Sequence, residues 1–219
     1  MGNIMKAVTH ARPAGTTERT GKDMDTFVLP VASAGNIEYR ISWTGVADAR
    51  SADDVLDPWE AVELLEEALH AGRRPRFVEI AGPGEPLINE SVFAALHLIR
   101  SRHPDLPLRV ATNGLALSDR LADLVQCGVR DLAVEVHALS PRTAERIYAT
   151  ATVRGRQLKG MSAAETVVRT QWHAVMNAIE CGMAVEVRTA VRTGINDEEI
   201  DRIAQWTGML GAEFVIRPQ

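Results

Sequence analysis

The chain has 219 residues, 46% of them hydrophobic, enough to bury one sizeable core, and one domain is expected. A net charge of −5 without a long basic run argues against nucleic acid as a partner. Residues 1–25 are polar and hold no apolar run of leader or membrane-spanning length, so the expectation is a cytoplasmic protein, with no membrane contact, that begins with a loose tail.

Residues 26–32 (TFVLPVA) predict a first strand, and residues 33–57 a long polar connection. Asp57 and Pro58 then mark a helix start, and Trp59, Val62, Leu65 and Leu69 carry helical spacing up to Gly72. Phe77-Val78-Glu79-Ile80-Ala81 is a short apolar run that reads as a buried strand. It breaks at Gly82-Pro83-Gly84, where the glycines would let the backbone pass close to a bound group and leave Glu85 at the strand's carboxyl end. A helix follows on Val92, Phe93, Leu96 and Ile99, then a strand over 108–112 ending at Asn113-Gly114, then a helix over 118–127.

Residues 132–136 predict a fourth strand with His137 at its end, followed by a short helix from Ser140-Pro141 to Tyr148. Residues 149–160 read as a basic insert without helix, before a long helix capped by Ser162 that ends at Gly182. A strand over 184–191, a turn at Gly194-Ile195-Asn196-Asp197, a helix on Ile200, Ile203 and Trp206, and a strand over 213–216 complete the chain. Strands alternating with helices call for a parallel sheet with right-handed crossovers, and six such units for an open barrel. Cys127 and Cys181 each precede a glycine at a helix end, far from any second thiol, and read as small buried residues rather than ligands.

In such a sheet one rim collects Gly84, Glu85, Asn113, Glu135, His137 and Arg188, with the 194–197 loop and Arg217 beside them. A carboxylate, an amide and two guanidinium groups suit a zwitterion, Glu85 taking an ammonium and an arginine a carboxylate. Equally, Arg188 and Glu186 can simply pair with Glu135 across neighbouring strands. His137 reads as a hydrogen-bonded rim histidine, since no second histidine or cysteine lies at ligand spacing.

Three segments together resemble one family. AGPGEPLIN (81–89) is similar to AGPGDPLAN, ATNGLAL (111–117) to STNGLAL, and VRTGINDEEI (191–200) contains a turn similar to PGIND. These are segments of the radical S-adenosylmethionine (radical SAM) superfamily, in its NifB branch of nitrogenase cofactor biosynthesis. The resemblance implies a partial (β/α)6 TIM-like barrel over 26–219. It also implies a SAM cradle in which Gly84 and Glu85 meet the methionine ammonium, Asn113 the carboxylate side, Glu135 or His137 the ribose, and Ile195 the adenine.

The departure lies after the first strand, where the family places CxxxCxxC for a [4Fe-4S] cluster. The aligned positions here are Gly35, Tyr39 and Ser42, with Trp43 placed to fill the space. Glycine cannot ligate iron, and serine and tyrosine are poor substitutes for thiolate, so no [4Fe-4S] cluster is expected. The expected function is therefore a non-radical binding or scaffold protein that retains SAM or nucleoside binding, in the setting of metal-cluster assembly, with a protein partner on the barrel's open side. The alternatives are an enzyme using the same pocket with Glu85 or His137 as acid or base, and a ligand-less variant of an active radical SAM enzyme.

Overall fold

The computed structural model describes residues 26–40 and 55–217. The N-terminal tail, Ser42 and Trp43 lie outside them. The six expected units are present: β1 (Thr26–Pro30), then α1 (Pro58–His70), β3 (Phe77–Ala81), α2 (Glu90–Arg102), β4 (Leu108–Thr112), α3 (Leu117–Gln126), β5 (Asp131–Glu135), α5 (Gly160–Glu180), β8 (Ala184–Ala190), α6 (Ile200–Met209) and β9 (Glu213–Arg217). The strands form one sheet in the order β1-β3-β4-β5-β8-β9, with every neighbouring pair parallel. Spatial order follows chain order, so each crossover turns the same way and the sheet winds into a barrel left open between β1 and β9.

Local chemistry sets the element ends. The Asp57 carboxylate accepts from the amides of Trp59 at 2.7 Å and Glu60 at 2.9 Å, while Glu60 returns a bond to the Asp57 amide at 2.9 Å. With Pro58 in the first turn, this capping box starts α1 and stabilises it by about 1 kcal/mol. On the sheet, alternation sends Val78, Ile80, Val110, Leu132, Val134, Val185 and Val187 outward, where they pack with Val62, Leu65, Leu96, Ile99, Leu124 and Val175 of the helices in one core. The opposite, concave face carries Glu79, Arg109, Glu186 and Arg188, all buried.

Residues 149–160 are not the loop-like insert that the sequence suggests. After the short helix α4 (Pro141–Ile147), β6 (Tyr148–Val153) and β7 (Arg156–Lys159) make a hairpin, and β2 (Ile37–Tyr39), from the connection after β1, joins its free edge. Val153 pairs with Arg156 across a two-residue turn in which Arg154 has φ 48° and Gly155 φ 75°. That is the type I′ geometry, which matches strand twist. The hairpin tip meets α3, where the Arg154 guanidinium donates to both Asp119 oxygens at 2.7 and 3.0 Å. Beneath this small sheet Tyr148, Ala151, Ile147, Ala164, Val167 and Leu115 form a second core. Cys127 is buried as expected, whereas Cys181 is exposed because it follows the last turn of α5 on its solvent side. Among the described residues no helix is long and apolar enough to cross a membrane.

Two glycines with open space around the missing Cβ test the backbone alone. Gly155→Ala forces an L side chain into positive φ and is expected to lower unfolding free energy by about 1 kcal/mol, while Gly208→Ala, inside α6, raises it by up to about 1 kcal/mol. Urea unfolding of the two variants should move the midpoint in opposite directions.

Candidate functional site at the mouth of the barrel

Gly82 and Gly84 allow a close approach, and the approaching group is the chain itself. A Cβ on Gly82 would sit 2.2 Å from the Ala32 carbonyl oxygen, and one on Gly84 2.4 Å from that of Ala34. The Gly84 amide donates to Ala32 at 3.0 Å and the Glu85 amide to Ala34 at 2.8 Å, while the Asn89 side chain clamps Ala34 from both sides. The loop after β1 is thereby fastened to the turn after β3. Substitution of either glycine would break that seam before it affected a ligand.

Glu85 is buried, and its carboxylate accepts from the Leu87 amide at 3.1 Å, the Asn113 amide at 2.7 Å and the Thr112 hydroxyl. Burial pushes its pKa up, and these three bonds pull it only partly back. Asn113 is equally engaged: its Nδ2 donates to Asn36 Oδ1 at 2.6 Å, its Oδ1 accepts from the Leu115 amide, and its carbonyl accepts from Gln171 Nε2 at 2.8 Å. The same Gln171 nitrogen reaches the Glu135 carbonyl at 3.0 Å, so α5 ties together the ends of β4 and β5.

Below the mouth lies a buried ionic brace. Arg188 donates from NH1 and NH2 to the two Glu79 oxygens at 2.9 and 2.6 Å, and from Nε to Glu186 at 2.6 Å. Arg109 reaches Glu186 at 3.4 Å and lies over the Phe77 ring at 3.9 Å. Burial alone would lower the Arg188 pKa, but its bonds and charge interactions with Glu79 and Glu186 raise it instead. Although the register sets Arg188 beside Glu135, its hydrogen bonds go to Glu79 and Glu186. Glu79 and Arg109 escaped the sequence reading. Their signal was a charge in the middle of an otherwise apolar strand, in FVEIA and LRVAT.

Glu135 and His137 stand at the end of β5, with Glu135 Oε2 3.8 Å from His137 Nε2. Burial drives the Glu135 carboxyl up to about 7, against the pull of Arg188 and Arg217 and with a further push from Glu85 and Glu79. Burial drives His137 down to about 3, so this imidazole is neutral, with Nδ1 accepting from the Ala190 amide at 3.4 Å. Below neutral pH the two form a largely uncharged contact. Tyr39, on β2, turns its ring inward, 5.5 Å from the Tyr148 ring and 6.4 Å from His137 between centroids. Its hydroxyl stays protonated, pushed up by burial, then by Tyr148, Glu135 and Glu85.

Gly35 is exposed on the preceding loop. Ile195 packs against the second core, and its loop is pinned by Asn196, whose Nδ2 donates to the carbonyls of His137 and Ala190 at 2.9 Å each. The predicted rim residues therefore do meet at one end of the barrel, whereas Cys127 and Cys181, which follow α3 and α5, lie toward the end where β5 and β8 begin. Among the described residues no group of three or more His, Cys, Asp or Glu side chains is arranged to hold a metal ion.

No family model matches the chain. Over 195 residues, 86% of this chain and 40% of the relative, it is 31% identical to the FeMo cofactor biosynthesis protein NifB of Klebsiella pneumoniae. It is 29% identical over 162 residues to the NifB of Chlorobaculum tepidum, covering 74% of this chain and 38% of that protein. The chain thus spans about two fifths of the length of these curated relatives. Among solved structures, Streptococcus suis SuiB bound to the precursor peptide SuiA superposes with a TM-score of 0.62, and SuiB bound to S-adenosylmethionine with 0.61. Each covers 88% of this chain and 38% of SuiB, at 11% and 12% identity, a likeness of fold.

Two variants probe the site. Arg188→Met takes the three short hydrogen bonds from two buried carboxylates, leaves them the longer contacts of Arg109, and is expected to lower stability by about 3 kcal/mol at neutral pH, read as a shift in urea midpoint. For Glu135, a folded pKa near 7 against the usual 4.5 means the folded state keeps a proton that the unfolded chain has released. Its contribution is fully present below pH 4.5 and lost as the pH rises through 7. His137 acts oppositely, since its contribution is present above pH 6.5 and lost as the pH falls through 3. Relative to wild type, Glu135→Gln should therefore gain stability by about 3 kcal/mol between pH 4.5 and 8 in paired urea titrations.

Proposed function

We propose a function for a chain that is related to the NifB proteins and folds as a partial barrel of the radical SAM type. It is a cluster-free binding or scaffold protein of cofactor assembly, and its barrel mouth takes SAM or a related nucleoside. The observation that carries this reading is the position of the thiols. The sequence has two cysteines, and both follow helices at the end of the barrel away from Glu85, Asn113 and Glu135. Iron–sulfur clusters are held by thiolates. A mouth furnished with carboxyls, amides, an imidazole and phenols does not fit a [4Fe-4S] cluster.

The same mouth fits the polar ends of SAM in part. A carboxylate has about four acceptor sites, and Glu85 uses three, leaving one for an ammonium. Arg188 is already doubly engaged and is a poor receiver for a second carboxylate. Glu135 at the rim and Tyr39 beside it are the groups best placed to meet a ligand. An enzyme without a cluster is the second reading, favoured by a carboxyl that titrates near 7 at the mouth.

Calorimetric titration of iron-free protein with SAM, and separately with adenosine and with methionine, tests the reading. Saturable binding of SAM is expected. No heat with any of the three would overturn it. Hydrolysis of SAM during the titration, abolished in Glu135→Gln, would favour the enzyme instead.

A further inference from the structure

Glu135 is the one rim carboxyl without a hydrogen bond to its side chain among the described residues. Its Oε2 lies 3.8 Å from His137 Nε2, on a neutral ring. The charged and titratable groups around it come from every packed element: Arg188 from β8, with Glu186 bound to it, Arg217 from β9, Glu79 from β3, Glu85 from the following turn, Tyr39 from β2 and Tyr148 from β6. Within this set Arg188 is taken up by Glu79 and Glu186, and Arg109 lies against Glu186. The carboxyls Glu79, Glu85, Glu135 and Glu186 outnumber the guanidiniums of Arg109, Arg188 and Arg217. With Glu135 ionised, this set of described residues is thus one positive charge short.

Two further observations point to a ligand. Tyr148 Oη and Gln171 Oε1, both buried, make no hydrogen bond of normal geometry, although the Gln171 side chain and the His137 backbone lie close to the phenol. The aromatic rings of Tyr39, Tyr148 and His137 cluster beside Glu135, and aromatic faces next to a carboxyl favour a weakly hydrated organic cation.

Resting on the binding function proposed above, we infer that the mouth selects a cationic ligand, a sulfonium or alkylammonium, and takes it up in exchange for a proton on Glu135. The balance is simple. The protonated carboxyl gives its proton to solvent, and the carboxylate that remains is the counter-ion of the arriving cation; no bond other than that O–H is broken. Burial and the Glu85 charge, which keep the proton on Glu135 up to about pH 7, are what the cation relieves. Tyr39 is the specificity-determining residue, because its ring packs with those of Tyr148 and His137 and its hydroxyl feels the charge of both Glu135 and Glu85.

The test compares SAM with S-adenosylhomocysteine, which keeps the ammonium, carboxylate and nucleoside but has a neutral thioether. Calorimetry at pH 6.5 in two buffers of different ionisation heat should show SAM binding roughly tenfold tighter, with about half a proton or more released per SAM and none per S-adenosylhomocysteine. Glu135→Gln should abolish the proton release, and Tyr39→Leu should lose most of the preference, which Tyr39→Phe retains. Equal affinity for the two probes, or SAM binding without proton release, would overturn the inference while leaving the binding function standing. Binding of neither would overturn both.

Discussion

The guanidinium of Arg188 lies between the carboxylates of Glu79 and Glu186, and Glu79 stands on β3 while Arg188 stands on β8, with β4 and β5 between them. In a flat sheet three strand steps would separate those two positions by ~14 Å, with both side chains standing roughly perpendicular to the sheet and so out of each other's reach. A bond of 2.6 Å therefore exists only because the sheet curls, and it holds the curl from inside. The small residues Ala111 and Ala133 on intervening strands leave room for it. Replacing such a brace by apolar side chains need not weaken a protein, but removing one member leaves buried charge without a partner. Its worth here lies in fixing one curvature, and so in setting where the strand ends meet.

What meets there is a rim whose groups are mostly spoken for. Glu85 and Asn113 knit the ends of β3 and β4 to the loop after β1, Gln171 knits β4 to β5 from α5, and Asn196 joins β5 to β8. A second acid, Glu199, caps the opening of α4 through the amides of Leu139 and Ser140; burial would raise its pKa, but these bonds and those from Ser140 and Thr143 side chains lower it. Once those ties are made, Glu135 is left at the end of β5 beside His137 and Tyr39, its side chain without a hydrogen bond among the described residues. The chemistry of the mouth is thus narrowed by its own construction.

Much of this was legible in the amino-acid order. The strands at Phe77 and Leu108 and the Asp57-Pro58 helix start lie where short apolar runs and a capping signal put them, because each is decided within a few residues. The hairpin of β6 and β7 was harder, since Arg154-Gly155 is a less familiar I′ pair than Asn-Gly and its strands are half-polar. The alternation in Tyr148–Val153 was the signal to follow. The ionic brace could not be paired from sequence, because which glutamate reaches Arg188 depends on curvature. For the same reason the glycines at 82 and 84 were rightly read as a close approach, but the approaching group was the chain's own loop.

The claim on which the account turns is that this barrel mouth works without iron. Anaerobic reconstitution of the intact chain with iron and sulfide, followed by metal counting and electron paramagnetic resonance of the reduced sample, measures it directly. The account predicts no retained iron after desalting and no cluster signal. About four irons per chain with a [4Fe-4S] spectrum would contradict it and require ligands other than thiolates at the mouth.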